Sequence, residues 1–143
     1  MENNLENYLF LFFDSLISSV ILPIRTETAV HVMSISGLYN NYLIFIIVSI
    51  SSILGSIINW EIGQKLIFLQ KTKILIKYKT QIEEAEIKWN KYVIWMLLFS
   101  SLKILGNPLS LLAGFLRSNF KKFLVIIVIG KVIYYFHLIF LYI

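Results

Sequence analysis

The sequence predicts an all-α integral membrane protein. Two re-entrant broken-helix hairpins and two membrane-spanning helices form an inverted repeat, with an amphipathic connector helix between the halves. Three observations point there. Of the 143 residues, 58% are hydrophobic and 15% charged, where a soluble domain carries about a quarter charged; the mean hydropathy is +0.78. Nearly half of the charge is gathered between Lys65 and Lys91, which leaves long apolar runs on either side. Two of the apolar stretches are broken by a proline, at Pro23 and Pro108.

The elements follow in chain order. In the first hairpin, residues 8–38, Tyr8 to Leu22 gives only about 22 Å of helix before Pro23, and a short apolar piece from Thr28 to Leu38 comes after. The first span, residues 42–62, holds the run Tyr42 to Trp60, about 29 Å long as a helix. The connector, residues 64–91, places Ile74, Tyr78, Ile82, Ala85 and Trp89 at helical spacing in one apolar stripe. Glu84 stands four residues before Lys88, the favourable order. This segment reads as a helix lying on the cytoplasmic face of the bilayer, or more plainly as a solvated connector. In the second hairpin, residues 92–117, Tyr92 to Leu102 gives about 16 Å before Lys103, Gly106, Asn107 and Pro108, and Leu109 to Leu116 follows. The second span, residues 121–143, holds Phe123 to Ile143, about 31 Å. Both spans match a hydrocarbon core of roughly 30 Å.

Proline removes an N–H and turns the preceding residue away from helix, so both breaks open the backbone. Open backbone at membrane depth is tolerated only where it lines a wet cavity or is buried in protein. Charge decides between hairpins and four plain spans. With four spans, Arg117, Lys121 and Lys122 would lie across the bilayer from the Lys65–Lys91 block, against the positive-inside rule. If the second break returns to its own side, both basic clusters are cytoplasmic, and both termini and the Tyr39–Asn41 link lie outside. The second half is then inverted relative to the first. Gly37 and Gly55 in one half echo Gly114 and Gly130 in the other, and broken helices meeting near the midplane are a common transporter design.

Several chemistries are excluded or disfavoured. No cysteine is present, so disulfides and thiolate sites are out. The net charge of +5 comes from lysines flanking apolar runs, without the aromatic or glycine-rich context of an RNA platform, so no nucleic-acid partner is expected. The leader MENNLEN carries Glu2 and Glu6 and no basic residue, unlike a signal peptide. His31 and His137 have no ligand-spaced partners, and Glu83 and Glu84 cannot face the same way on a helix, so no metal or cofactor is expected. No nucleophile stands beside a base, so the chain does not read as an enzyme.

The charges at membrane depth carry the functional reading. Asp14, Arg25, Glu27, Glu61, Lys103 and Lys131 fall in or beside apolar runs, at roughly 2.5–3.5 kcal/mol each if isolated at the bilayer centre. They must pair, snorkel or face water. The expected site sets Arg25 and Glu27 of the first hairpin tip against Lys103 and Asn107 of the second. Exposed N–H groups at the start of each second helix would add an anion-attracting field. Lys131 pairs with an acid or snorkels outward. Such a place suits a phosphate head group, with membrane lipids as partners, and Glu27 could titrate as a proton carrier. The plain alternative is that Arg25 and Glu27 only neutralise each other.

These residues resemble the DedA superfamily (SNARE-associated or VTT proteins), and within it the short YqaA-like branch. "LPIRTE" is similar to the branch's Leu-Pro-x-x-Ser-Glu element at Leu22, Pro23 and Glu27. "LGSIINWEIGQ" is similar to Leu-Gly-x-x-x-Asn-Tyr-x-x-Gly-Arg at Leu54, Gly55, Asn59 and Gly63. "GNPLSLLAGFLR" is similar to Gly-Asp-Pro-Leu-x-Leu-x-Ala-Gly-x-Leu-Arg at Gly106, Pro108, Leu109, Leu111, Ala113, Gly114, Leu116 and Arg117. Gly130 and Lys131 with Tyr134 or Tyr135 also fit. The resemblance implies a multi-pass protein of a bacterial cytoplasmic membrane, with two facing re-entrant hairpins. It implies movement of a lipid such as polyprenyl phosphate or a phospholipid between leaflets, with proton coupling. Asn107 stands where the family has an acid, and Lys103 where it has a proline. Those departures leave a non-transporting scaffold or a degenerate member as the alternative, and bear most on proton coupling.

Overall fold

The structure is a computed structural model that describes residues 2–20, 24–69, 79–99 and 106–141. Within those ranges, the side chains of residues 2–3, 24–26, 67–69, 79, 82, 93–94, 96–99 and 106–107 lie outside the description. Pro23 and Lys103, and the side chains of Arg25 and Asn107, therefore fall outside the described residues, as do Ile74 and Tyr78.

The described residues form helices α1 (Glu2–Val20), α2 (Ile24–Ile35), α3 (Asn41–Leu69), α4 (Lys79–Phe99), α5 (Gly106–Phe115) and α6 (Phe120–Phe136), with turns described between α2 and α3 and between α5 and α6. α6 continues into a π-helical turn, His137–Leu141. Asn41–Leu66 and Phe120–Leu141 are long and apolar enough to cross a membrane, in agreement with the two spans expected from hydropathy.

Those two long helices begin in the same way. The Asn40 side chain accepts from Tyr42 N at 2.9 Å and its carbonyl accepts from Ile44 N at 3.1 Å. Asn119 does the same for Lys121 N and Phe123 N, both at 3.0 Å. Asparagine is a strong N-cap because its oxygen satisfies one of the orphan N–H groups of the first turn. Each cap follows a left-handed residue closing the preceding short helix: Gly37 at φ 66° and Arg117 at φ 51°. At the second, Ser118 N reaches Ala113 O at 3.0 Å and Arg117 N reaches Gly114 O at 3.1 Å, a Schellman pattern. Glycine takes that conformation freely; arginine takes it at a steric cost.

Contacts fix the helix directions. Asn7 Nδ2 donates to the Tyr39 hydroxyl at 2.7 Å, and Asn40 N donates to the Tyr8 hydroxyl at 2.9 Å. Further along both helices, Ser19 meets Ser52 and Asn59. α1 therefore runs beside α3 in the same direction, and α2 returns to the Asn40 end. α6 runs the opposite way: Phe140 packs on Tyr42, and Phe123 on Trp60. One buried cluster, Leu11, Val30, Ile44, Val48, Tyr135 and Ile139, fills the Asn40 half. A second, Trp89, Ala113, Leu116, Phe123 and Ile127, fills the other.

Helix boundaries depart from the charge-based reading in three places. α3 passes residue 62 unbroken and takes in Gln64 and Lys65. α4 passes unbroken from the connector into the apolar run at residue 92. Charge marks where a helix changes surroundings, not where its hydrogen bonding stops. Finally, α2 starts at Ile24 and α5 at Gly106, ahead of the apolar pieces at Thr28 and Leu109, with Pro108 in the first turn of α5, where the missing N–H is an orphan anyway. Along the connector stripe, Trp89 is buried in the core while Ala85 is exposed.

Candidate functional site

Glu27 lies in the first turn of α2, where the helix dipole favours an acid. Its carboxylate accepts a hydrogen bond from the Tyr134 hydroxyl on α6. One turn before Tyr134 on the same helix is Lys131. Its Nζ donates to the Ser52 carbonyl at 3.1 Å and to the Ser52 hydroxyl at 2.5 Å, both on α3. Ser52 also receives the Ser19 hydroxyl of α1 at 3.2 Å. The buried Tyr135 lies beside Ser52 and Ser15. Four helices thus converge on one polar cluster. Lys131 sits midway along Phe120–Leu141, about 16 Å from either end at the helical rise.

The cluster occurs where a helix stops in apolar surroundings. α1 ends at Val20, so its last carbonyls have no partner within the helix. Asn59, 2% exposed, supplies one: its Nδ2 donates to Ser19 O at 3.1 Å. Gly55, one turn earlier on α3, lets α1 come close, since a Cβ there would stand 2.5 Å from Ser19 Cβ and 3.2 Å from Leu16 O. Another turn or two along α3, a Cβ on Gly63 would lie 2.1 Å from Leu111 O, and one on Gly114 would lie 1.9 Å from Trp60 O. Gly55, Asn59 and Gly63 recur every four residues, so α3 holds α1 and α5 from neighbouring parts of its surface. Trp60 Nε1 donates to Ser118 Oγ at 3.4 Å, and Ser118 Oγ donates to Ala113 O at 2.8 Å, closing the turn after α5.

The expected site residues thus separate into groups. Glu27 and Lys131 join one cluster, with Asn59 and Gly55 beside it. Gly63 and Gly114 make the α3–α5 crossing. Gly106 opens α5, Pro108 is exposed in its first turn, and Arg117 is exposed at the left-handed cap. Asp14 is half-buried and Glu61 exposed. The described hydrogen bonds of Lys131 go to Ser52 rather than to a carboxylate. Ser15, Ser19 and Ser52 were not expected; in "SISSILGS" Ser49, Ser52 and Ser56 recur at helical spacing and are all buried, but the spacing does not single out Ser52.

The VTT domain model matches residues 23–143. The chain belongs to the VTT-domain (DedA) family. A Rickettsia prowazekii protein, RP436, is 26% identical over 136 residues, covering 93% of this chain and 94% of that protein. Escherichia coli and Shigella flexneri proteins named inner membrane protein YqaA are each 27% identical over 126 residues, covering 87% of this chain and 83% of theirs. No solved structure matches. Within this VTT-domain chain, residues that carried the resemblance fall on the helix contacts just described: Gly55, Asn59 and Gly63 on α3, Gly114 on α5, and Lys131 on α6.

Proposed function

We propose that this VTT-domain protein moves an anionic lipid, such as polyprenyl phosphate or a phospholipid, between leaflets of a bacterial cytoplasmic membrane. Residues 8–38 and 92–117 act as re-entrant hairpins in an inverted repeat, and Arg25, Glu27, Lys103, Asn107 and Lys131 serve the head group. The observation that carries this reading is the mid-span cluster. A carboxylate and an ammonium are costly at that depth, yet four helices are arranged to hold them. The hydroxyl and carbonyl holding Lys131 are weak acceptors beside a phosphate oxygen, so an incoming head group could take the amine from Ser52. Two further features support the hairpins. α2 returns to the Asn40 end from which α1 set out, and both halves repeat the sequence of left-handed cap, asparagine N-cap and long helix.

The test is reconstitution of the purified chain into vesicles carrying a fluorescent lipid phosphate in one leaflet. The expected result is faster equilibration than in protein-free vesicles. Equal rates would sink the proposal in favour of a membrane scaffold.

A further inference from the structure

The α1–α2 pair is held to α3 and α6 differently at its two ends. At the deep end, Asn59 holds Ser19 O, Ser19 meets Ser52, and Tyr134 holds Glu27. Gly55 brings the α1 backbone against α3 there. At the Asn40 end the links are the Asn7–Tyr39 and Asn40–Tyr8 hydrogen bonds, with the Tyr8 and Tyr39 rings edge-on at 5.7 Å. Both of those hydrogen bonds are exposed, so water can replace either at little cost. The buried Ser19 contacts have no such substitute.

Between the two ends lie buried polar groups with nothing to bond. Among the described residues, Ser15 Oγ, Ser34 Oγ, Ser49 Oγ, Asn41 Oδ1 and Trp89 Nε1 are buried without a hydrogen-bond partner. The first four belong to the Asn40 half. Asn41 begins α3 and Ser34 lies in the last turn of α2, while Ser15 and Ser49 are about 10–12 Å deeper at the helical rise. Each orphaned group penalises the closed arrangement and would gain a water on opening. In the other half, α3 and α5 meet backbone to backbone at Gly63 and Gly114, which leaves no comparable freedom.

We propose that the α1–α2 pair is a gate, pivoting at its deep end and opening at the Asn40 end. Opening lets water reach Ser15 and Ser49 and, beyond them, Ser52. Leu11, Val30, Ile44 and Val48 pack across the same gap, so the closed form dominates and the open form is a minor population. The Glu27–Lys131 cluster is then reached from one side only. The motion needs no lipid cargo, so it stands or falls apart from the transport reading.

The chain has no cysteine, so Ser49→Cys gives a single thiol for a membrane-impermeant maleimide applied to each membrane face in turn. It should react from the Asn40 face, roughly tenfold or more faster than Ser110→Cys, a buried position on α5. Added to Ser49→Cys, Tyr39→Phe removes an acceptor of the latch and should raise the rate about fivefold, the worth of one hydrogen bond. Ser34→Ala removes a hydroxyl that the closed form leaves unbonded; it should slow labelling and raise thermal stability. Circular dichroism checks that each variant is folded. Equal rates at Ser49→Cys and Ser110→Cys, reaction from the opposite face alone, or no response to Tyr39→Phe would overturn the gate. Faster labelling in Ser34→Ala would overturn the part given to the orphaned hydroxyls.

Discussion

Gly114→Ala should lower the stability of the protein by about 3 kcal/mol, the upper part of the range for overpacking a close contact. The added carbon would stand 1.9 Å from the Trp60 carbonyl oxygen and 2.9 Å from Trp60 Cα. The obstacle is backbone of a long helix and cannot swing aside like a side chain. α5 must therefore lift from α3, and the Trp60–Ser118 hydrogen bond that closes the following turn goes with it. Gly37→Ala makes the informative comparison. No atom lies within 4 Å of its added carbon, and the whole penalty comes from its φ of +66°, about 1–2 kcal/mol. Thermal unfolding in detergent should rank wild type above Gly37→Ala and Gly37→Ala above Gly114→Ala. A Gly114→Ala protein as stable as wild type would show that the two helices do not touch there.

Glu27→Gln should slow transbilayer lipid movement roughly tenfold or more, about 1.4 kcal/mol or more of barrier. The substitution is selective because the glutamine oxygen still accepts from the Tyr134 hydroxyl, so the α2–α6 contact survives while the charge is lost. Lys131→Met removes the opposite charge at similar volume and should slow the same assay to a similar degree. It also releases Ser52, so its thermal stability should fall too. Tyr134→Phe keeps both charges and loses one hydrogen bond to an ionised group, about 1.5–3 kcal/mol; its rate should lie between wild type and Glu27→Gln. A scaffold would pass Glu27→Gln unchanged, and rates equal to wild type would remove Glu27 from the site.

The long apolar helices were legible in the sequence because length and hydropathy alone define them. Gly55, Asn59 and Gly63 were grouped only through the family resemblance, although their four-residue spacing places them on one helix face. The partners of Glu27 and Lys131 were not legible. Charge counting offers only acids and bases as partners, and gives no sign that Tyr134 donates to Glu27 or that Lys131 donates to Ser52. Hydroxyls in an apolar run carry little signal, because serine can bond back to its own helix, as Ser51 does to Val48 O and Ser56 to Ser52 O. Only the fold separates those serines from Ser52, which reaches across to α1 and α6. Helix ends were read less well than helix faces. Charge shifted the limits of α3 and α4, and the short helices begin earlier, at Ile24 and Gly106, than the apolar pieces at Thr28 and Leu109 suggested.

The account turns on α1 ending beside the middle of α3 rather than crossing the bilayer. Ser19→Cys with Ser52→Cys tests this in a chain that has no other cysteine, because the two hydroxyls lie 3.2 Å apart, within reach of disulfide geometry after a small adjustment. Oxidation in native membranes should join the pair, while Ser19→Cys with Ser36→Cys, at opposite ends of the α1–α2 pair, should stay reduced. A Ser19–Ser52 pair that resists cross-linking as fully as the control would contradict the proposed turn within the bilayer, and with it the placement of Glu27 at mid-depth.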